Sequence, residues 1–456
     1  MLQYEEFLKS KVRTDPATGL NAVGDLNPML FPQQRDIVNW ALRRGRAAIW
    51  ADCGMGKGPM ALEYASNVPG EVLIVAPLAV SQQFKRESEK FGIEVGLAKR
   101  HGDISKRITV TNYESLHNFN IEGFNGIVLD ESSILKSVSG KTRTELIERC
   151  KDIPFRLCCT ATPAPNDHME LGSHSEFLGV MSRTEMLSTF FVHDGGETSK
   201  WRLKGHAEGE FWQWMASWAV MIRKPSDLGY SDEGFELPPL EMHEHITDVD
   251  EPTEGFLFAM EASTLADRIK ARRSTVDERV AEAVKIINEK AGEPWIIWCN
   301  LNDEQSALEK ALGDRVLSVH GSLTPDEKEW RIVKWLDGDK PYFLSKPSVA
   351  GFGLNFQRCN NMIFVGISDS YEAFYQAVRR CWRFGQTKPV NCHIVAAETE
   401  GAVLSNIKRK EVDATKMAEN MVKHMADINI RALRGAATRK NTAYEPKIEM
   451  ILPKWL

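Results

Sequence analysis

The sequence predicts an α/β fold of two parallel-sheet lobes in tandem, with a mostly helical insertion between them. Three observations lead there. Short apolar runs ending in polar or turn residues alternate with helix-compatible segments through residues 1–170, and repeated strand-then-helix units give a parallel sheet covered on both faces. One run, Ala47-Ala48-Ile49-Trp50, enters the Gly-rich turn Ala51-Asp52-Cys53-Gly54-Met55-Gly56-Lys57-Gly58 and then the helix-compatible Pro59–Ala65, the plan of a phosphate-binding loop. A second strand-helix series fills residues 291–400 without such a loop, which points to one site shared by two lobes.

Composition sets the limits. At 456 residues the chain is too long for one ordinary core and suits two or three domains. With 43% hydrophobic and 26% charged residues it is expected to fold as a soluble globule. The formal charge of −6 excludes a general basic coat but leaves room for a local basic groove. The eight Cys form no Cys-x-x-Cys pair and sit mostly in apolar runs, which predicts buried thiols in a reducing cytosol and no zinc site. Met1–Glu6 lacks the basic start and apolar core of a leader, and the most apolar stretch, Phe211–Ile222, is short and interrupted by Gln213. A cytoplasmic protein without a membrane span is expected.

Residues 1–27 form a polar lead-in. Leu30–Gln34 then precedes an amphipathic helix in which Ile37, Trp40 and Ala41 recur. An amide such as that of Gln34, just ahead of a nucleotide loop, can read an adenine edge as donor and acceptor. Within the loop, Gly54 and Gly56 flank Met55 and leave backbone N–H groups free to wrap an anion, while Lys57 can reach the outer phosphates. Gly58 stands where a hydroxyl for Mg²⁺ is expected. Further strands are predicted at Glu71–Pro77, Ile108–Tyr113, Gly126–Ser133 and Phe155–Pro163, separated by helices such as Ser81–Phe91 and Thr142–Cys150. Ligands of such sheets bind where the strands end, so Pro77, Thr111-Asn112, Asp130-Glu131 and Thr160-Ala161-Thr162 should share one edge. Asp130 can hold Mg²⁺ through water, and Glu131 can orient and deprotonate the attacking water. The hydroxyls of Thr160 and Thr162 can bridge this acid site to the other lobe.

In the insertion, residues 171–290, Trp212, Trp214, Met215, Trp218, Ala219 and Ile222 suit one thick helix, and a stripe of this kind is core rather than a base-stacking platform. Arg223-Lys224 and Leu237–Leu240 bridge out of the first lobe. His243 and His245 read as one face of a half-exposed strand with no second ligand pair nearby. Glu254–Lys290 is helical, with Val276, Val280, Val284 and Ile287 on one stripe and a cluster of Arg268, Lys270, Arg272 and Arg273 that is either solvated or phosphate-binding.

The second lobe predicts strands at Pro294–Asn300, Val316–Ser322, Pro341–Ser345, Asn361–Val365 and Val390–Val395, with helices Asp303–Leu312, Asp326–Leu336 and Tyr371–Trp382 between them. A helix through Gln376–Gln386 would put Arg380 and Arg383 on one face across a cleft, where guanidinium groups can neutralise charge on a transferred phosphoryl. The loop Ser345–Asn355 combines glycines with small hydroxyls and suits close approach to a phosphodiester or to the facing lobe. Residues 401–456 continue as a helix and a basic tail containing Arg431, Arg434, Arg439 and Lys440, either an unstructured end or a nucleic-acid arm.

Taken in order from Leu30 to Val395, these segments resemble the superfamily 2 helicases, and among them the Swi/Snf-like ATPases, including small phage- and bacterial-type members. Leu30–Gln34 is similar to the adenine-reading Gln motif, Ala51–Gly58 to motif I, Pro77 to motif Ia, and Thr111-Asn112-Tyr113 to motif Ib. Asp130-Glu131-Ser132-Ser133 resembles the Asp-Glu-x-His box, Thr160-Ala161-Thr162 motif III, Gly351–Asn355 motif V, and Gln376–Gln386 motif VI. The resemblance implies two RecA-like lobes that close over ATP and Mg²⁺ and step along one strand of a nucleic acid, typically double-stranded DNA. It implies that Gln34, Gly54, Met55, Gly56, Lys57, Gly58 and Gly353 hold the nucleotide, with Lys57 on the β/γ-phosphates, Asp130 on the metal and Glu131 on the attacking water. Arg380 and Arg383 would meet the transition-state charge; Pro77, Thr111, Asn112, Ser345 and Lys346 the nucleic acid; Thr160, Ala161, Thr162 and Gln376 would couple the two. The expected protein is a DNA-stimulated ATPase and translocase, monomeric, with any targeting left to Leu171–Thr247, the tail or a protein partner. Two alternatives stand beside it: a strand-separating or annealing DNA or RNA helicase, and a non-hydrolysing, nucleotide-gated nucleic-acid-binding module. The last is motivated by Gly58, the main departure from the family pattern; Ser133 in place of the last His of the acid box is the other.

Overall fold

Helix α1 (Pro32–Arg44) begins on a proline, whose fixed φ suits a first turn, and stops at Gly45 with φ 77°. The chain then enters β1 (Arg46–Ala51), of which all but Arg46 is buried. The computed structural model describes residues 16–136, 141–164, 167–193, 201–247, 272–350 and 355–435. After β1 come α2 (Lys57–Asn67), β2 (Val72–Ala76), α3 (Ser81–Lys90), β3 (Val95–Leu97), β4 (Ile108–Asn112), β5 (Gly126–Asp130), α4 (Lys141–Cys150) and β6 (Phe155–Thr160). Between the lobes lie α5 (Leu171–Leu178), α6 (Arg183–Phe190), an antiparallel pair β7 (Phe191–His193) and β8 (Trp201–Leu203), α7 (Glu208–Ala216) and β9 (Ala219–Ile222).

Seven parallel strands form the first sheet, in the order β3-β4-β2-β5-β6-β1-β9. Strands β2, β5 and β6 are buried from end to end, as a sheet covered on both faces requires. Trp50, Leu73, Phe177, Trp214 and Trp218 fill one side, and Ile37, Ile49, Leu62, Ile74 and Leu157 the other. Register sets Asp130 beside Cys159 and Trp50 beside Thr160, so the ends of β5, β6 and β1 lie next to one another.

The single helix expected through Trp212–Ile222 does not form. Helix α7 ends at Ala216, and β9 runs parallel to β1 instead. The open edge of β1 decides this: Ala48 N–H donates to the Trp218 carbonyl and Asp52 N–H to that of Ile222, both at 2.9 Å. A wholly apolar run has no period that separates strand from helix, so the available ladder partner chooses. Trp218 is fully buried, edge-on to Trp50 and to Trp214 with ring centroids 5.4 Å apart in each pair. Trp218→Ala is therefore expected to destabilise the first lobe by about 3–5 kcal/mol, read as a lowered denaturant midpoint for its unfolding transition.

The second lobe contains β10 (Leu240–Thr247), α8 (Val276–Glu289), β11 (Trp295–Cys299), α9 (Asn302–Leu312), β12 (Val316–Val319), α10 (Pro325–Leu336), β13 (Tyr342–Ser345), β14 (Asn361–Val365), α11 (Tyr371–Val378) and β15 (Val390–Ala397). Its sheet has six parallel strands in the order β10-β15-β14-β11-β13-β12. The two sheets with their flanking helices are two RecA-like lobes. Of the helix expected over Glu254–Lys290, residues 254–271 lie outside the described residues, as do Arg268 and Lys270. Helix α8 is locked in place by Arg279, fully buried and paired to Glu304 at 2.6 Å and Glu400 at 3.4 Å.

The half-exposed strand expected around His243 and His245 is β10. It pairs with β15 and so meets a third imidazole: His245 Nε2 lies 3.0 Å from His393 Nδ1. Burial, with His243 beside it, lowers the His393 pKa to about 4. Among the described residues no three His, Cys, Asp or Glu side chains are arranged to hold a metal ion.

The last helix, α12 (Gly401–Gly435), leaves the second lobe and returns to the first. Met421 and Met425 enter the first lobe's core, His424 stacks on Trp212 at 5.4 Å, and Asn429 Nδ2 donates to the Ala219 carbonyl at 3.1 Å. No described helix is long and apolar enough to cross a membrane.

Candidate nucleotide site between the lobes

The loop between β1 and α2 turns where glycine allows it. Gly54 and Gly56 take φ 91° and 84°, and a Cβ at Gly54 would sit 2.8 Å from the backbone nitrogen of Phe384 in the facing lobe. Lys57 folds back over the loop, its Nζ donating to the Ala51 carbonyl at 2.9 Å. Gln34 is buried, with Oε1 accepting from Phe31 N–H and Nε2 donating to the Met55 carbonyl, each at 3.0 Å. One end of its amide thus caps the start of α1 and the other braces the loop, a contact not foreseen for a residue expected to read adenine.

Asp130 ends β5 and Glu131 follows it in the left-handed region at φ 52°, the only non-glycine residue to do so among those described. Backbone strain of this kind is held by surrounding structure and clusters at functional positions. Burial first, then Glu131 beside it, pushes the Asp130 carboxyl up to about 8 against the pull of Lys57. Glu131 is 7% exposed, and its Oε2 is buried without a hydrogen-bond partner. A carboxylate oxygen so placed has capacity for a cation or water. Asp130 and Glu131 fit Mg²⁺ on that ground and would hold it. Behind the acids, Ser132 Oγ meets His174 Nε2 at 3.0 Å, and burial keeps that imidazole neutral with a pKa of about 4.

The arginines do not lie on a helix face as expected. Helix α11 stops at Val378, and the next residues tighten into turns, Arg380 N–H reaching Ala377 and Trp382 N–H reaching Val378. The cause is competition for the backbone: the Arg380 carbonyl accepts from Phe356 N–H at 3.0 Å, which peels the chain off the helix. Arg380 is held to Gln376, Nε on its carbonyl at 2.8 Å and Nη2 on its Oε1 at 2.7 Å. Burial, with Arg380 nearby, brings the Arg383 pKa down to about 10, still charged at neutral pH.

Lys57, Gly58, Asp130, Glu131, Arg380 and Arg383 line one crevice between the lobes. It encloses about 80 Å³, room for only a few waters.

The clasp between the lobes includes a residue that sequence reasoning passed over. Arg379 Nη2 lies 3.1 Å from Asp52 Oδ2 and donates to the Cys53 carbonyl at 2.7 Å, while the Tyr375 hydroxyl donates to Asp52 Oδ1 at 2.5 Å. Burial works against the Arg379 charge, but Asp52 outweighs it and holds the pKa above the usual arginine value. Arg380 and Arg383 match a motif by their spacing, whereas Arg379 is adjacent to Arg380 and nothing in its own segment marks it as the partner of Asp52.

A cleft of about 1100 Å³ adjoins the crevice and runs across both lobes, lined by Pro77, Thr111 and Asn112 from the first and Lys328, Ser348 and Asn355 from the second. The Thr111 hydroxyl is buried there without a partner. Ser345 is corrected: it closes β13 as expected but is fully buried there and donates to the Val319 carbonyl at 2.8 Å, so its hydroxyl is taken up inside the sheet and not offered to a nucleic acid. Lys346 reaches Asn302 Oδ1 at 2.7 Å. Thr160 turns inward and accepts from Thr162 N–H at 3.1 Å, whereas Thr162 Oγ1 reaches Glu372 of the second lobe at 3.4 Å; Ala161 lies between them. Gly353 and the tail beyond residue 435 lie outside the described residues.

The helicase conserved C-terminal domain matches residues 278–385, the stretch that supplies Gln376, Arg380 and Arg383. Over that stretch the chain is similar to helicases. It is also similar to the "DNA annealing helicase and endonuclease ZRANB3" of Mus musculus, 23% identical over 420 residues, covering 82% of this chain and 39% of the relative. The chain therefore spans about two fifths of that relative's length. It is 24% identical over 446 residues to "Putative protein p41" of Acyrthosiphon pisum secondary endosymbiont phage 1, covering 81% of this chain and 93% of p41. Among solved structures, the Sulfolobus solfataricus SWI2/SNF2 ATPase core in complex with dsDNA aligns over 91% of this chain and 98% of that chain, with 20% identity and a TM-score of 0.42.

Proposed function

We propose that this protein is a Swi/Snf-like member of the superfamily 2 helicases, a nucleic-acid-stimulated ATPase that translocates on double-stranded DNA. One observation supports this reading above the others: a loop lysine and an acid pair from one lobe share a crevice with two arginines from the other. Hydrolysis of a phosphoanhydride depends on positioning and on offsetting charge, and these are the groups for it. Lys57 turns from the Ala51 carbonyl to the β/γ-phosphates. Glu131 orients and deprotonates the attacking water, and Asp130 would hold the metal. Bound there, Mg²⁺ would neutralise phosphate charge. Arg380 and Arg383 meet the charge that develops on the transferred group, and the Thr162–Glu372 contact links that event to lobe closure. The interlobe cleft along Pro77, Thr111 and Asn112 is the path for nucleic acid.

ATPase rate measured with and without duplex DNA, single-stranded DNA and RNA tests the proposal. A severalfold rise with duplex is expected, and a flat rate with every nucleic acid defeats it. An annealing or strand-separating activity is the second reading, favoured by the printed description of the ZRANB3 relative. Displacement of a third strand from intact duplex, compared with unwinding or annealing of a fork, separates the two.

A further inference from the structure

Gly58 is a glycine for a reason different from that of its neighbours. Gly54 and Gly56 occupy left-handed backbone, but Gly58 is the second residue of α2 with an ordinary helical φ. Any L-residue fits that conformation, and glycine is a poor choice within a helix. What stands in the way is a side chain: a Cβ built on Gly58 would overlap Glu87 Oε2, so any larger residue there requires that carboxylate to swing away. The carboxylate of Glu87 therefore fills the place where the side chain of a residue following the loop lysine would project.

Glu87 is aimed, not merely nearby. It sits on the inner side of α3, one turn after Gln83, whose Nε2 donates to Glu87 Oε1 at 2.8 Å. That bond leaves Oε2 facing Gly58 and the crevice, which Glu87 lines together with Lys57, Asp130 and Glu131. Burial raises the Glu87 pKa, while Gln83 and Arg383 favour its charged form. A second feature of the same crevice points to a cation: Glu131 keeps Oε2 buried with no hydrogen-bond partner.

We infer that Glu87 supplies the metal-binding oxygen that the phosphate loop lacks at Gly58, so that α3 completes the Mg²⁺·nucleotide site in place of the loop. The inference rests on the ATP-site reading above. Exchanging a neutral hydroxyl for a carboxylate changes the electrostatics as well as the source of the ligand. An anion beside Lys57 opposes a bare triphosphate and favours one that arrives with its divalent cation. Nucleotide binding by this protein is then more strongly conditional on metal than a hydroxyl ligand would make it. Positions 58 and 87 then share one role: a hydroxyl at position 58 or the Glu87 carboxylate can furnish the ligand, and the carboxylate now occupies the space that a side chain at position 58 would take.

The test uses the full chain, Mn²⁺ as the probe metal and a non-hydrolysable ATP analogue. Mn²⁺ affinity of the ternary complex is read by electron paramagnetic resonance, and analogue affinity by fluorescence in Mn²⁺ and in EDTA. Glu87→Gln, which keeps the shape, is expected to weaken Mn²⁺ by about 10–100-fold, the scale of losing a partner of a metal site, while affinity in EDTA holds or rises. Gly58→Thr alone should weaken analogue binding, and Gly58→Thr with Glu87→Ala should recover most of the Mn²⁺ affinity. Glu89→Gln, exposed on the same helix, should change neither. Unaltered Mn²⁺ affinity in Glu87→Gln, an equal loss in Glu89→Gln, or a gain from Gly58→Thr alone overturns the inference. Failure of the unaltered chain to bind the analogue with metal would instead remove the ATP-site reading itself.

Discussion

Alanine at Arg383 is expected to lower kcat for ATP by about 10³–10⁵-fold while analogue affinity changes little, the pattern of a group that acts on transition-state charge. Arg383 lies across the crevice from Lys57, and its pKa of about 10 leaves it charged at neutral pH. Arg380→Ala should show a similar loss with a structural component added, since Arg380 also ties Gln376 through two hydrogen bonds. Single-turnover hydrolysis and equilibrium binding of an ATP analogue, measured side by side, check this. Lysine at either position should rescue poorly, because a compact ammonium cannot reproduce the planar fork of donors. A variant whose affinity falls as far as its rate would place the arginine on the bound substrate instead.

Glu131→Gln is the second large effect, a fall in kcat of about 10²–10⁴-fold, the usual cost of losing a general base. Analogue and DNA affinities should remain, because Gln keeps the shape and can occupy the same left-handed backbone that Glu131 adopts at φ 52°. The measurement is steady-state ATPase in saturating duplex DNA alongside filter or fluorescence binding. Retained turnover would show that water is activated by another group, with Asp130 the nearest candidate.

Most of the sheet was legible because short apolar runs ending in polar residues admit one parallel arrangement. Ile127-Val128-Leu129 before Asp130 and Leu157-Cys158-Cys159 before Thr160 are such runs, and each is a buried strand. Where the period carried no information the reading failed: Ala219–Ile222 is apolar at every position, and the free edge of β1 made it a strand. Ser345 failed for a related reason, since polarity suggested a loop but its hydroxyl finds the Val319 carbonyl inside β13. Arg380 and Arg383 were found by spacing, yet the helix assumed for them ends at Val378 because Phe356 N–H competes for the Arg380 carbonyl.

The sequence by itself determined what is local: the glycine-lysine turn, the acids at the end of an apolar run, the second lobe without a phosphate loop, and the glycine in an unexpected place. Those features follow from the chemistry of a few adjacent residues. Only the tertiary structure decided which groups meet across distance. Arg379 finds the Cys53 carbonyl 326 positions away in the chain, and the carboxylate of Glu87 comes to lie over Gly58 from a different helix. Such pairings depend on the packing of α3 against the loop and of one lobe against the other, and no pattern within a single segment encodes them.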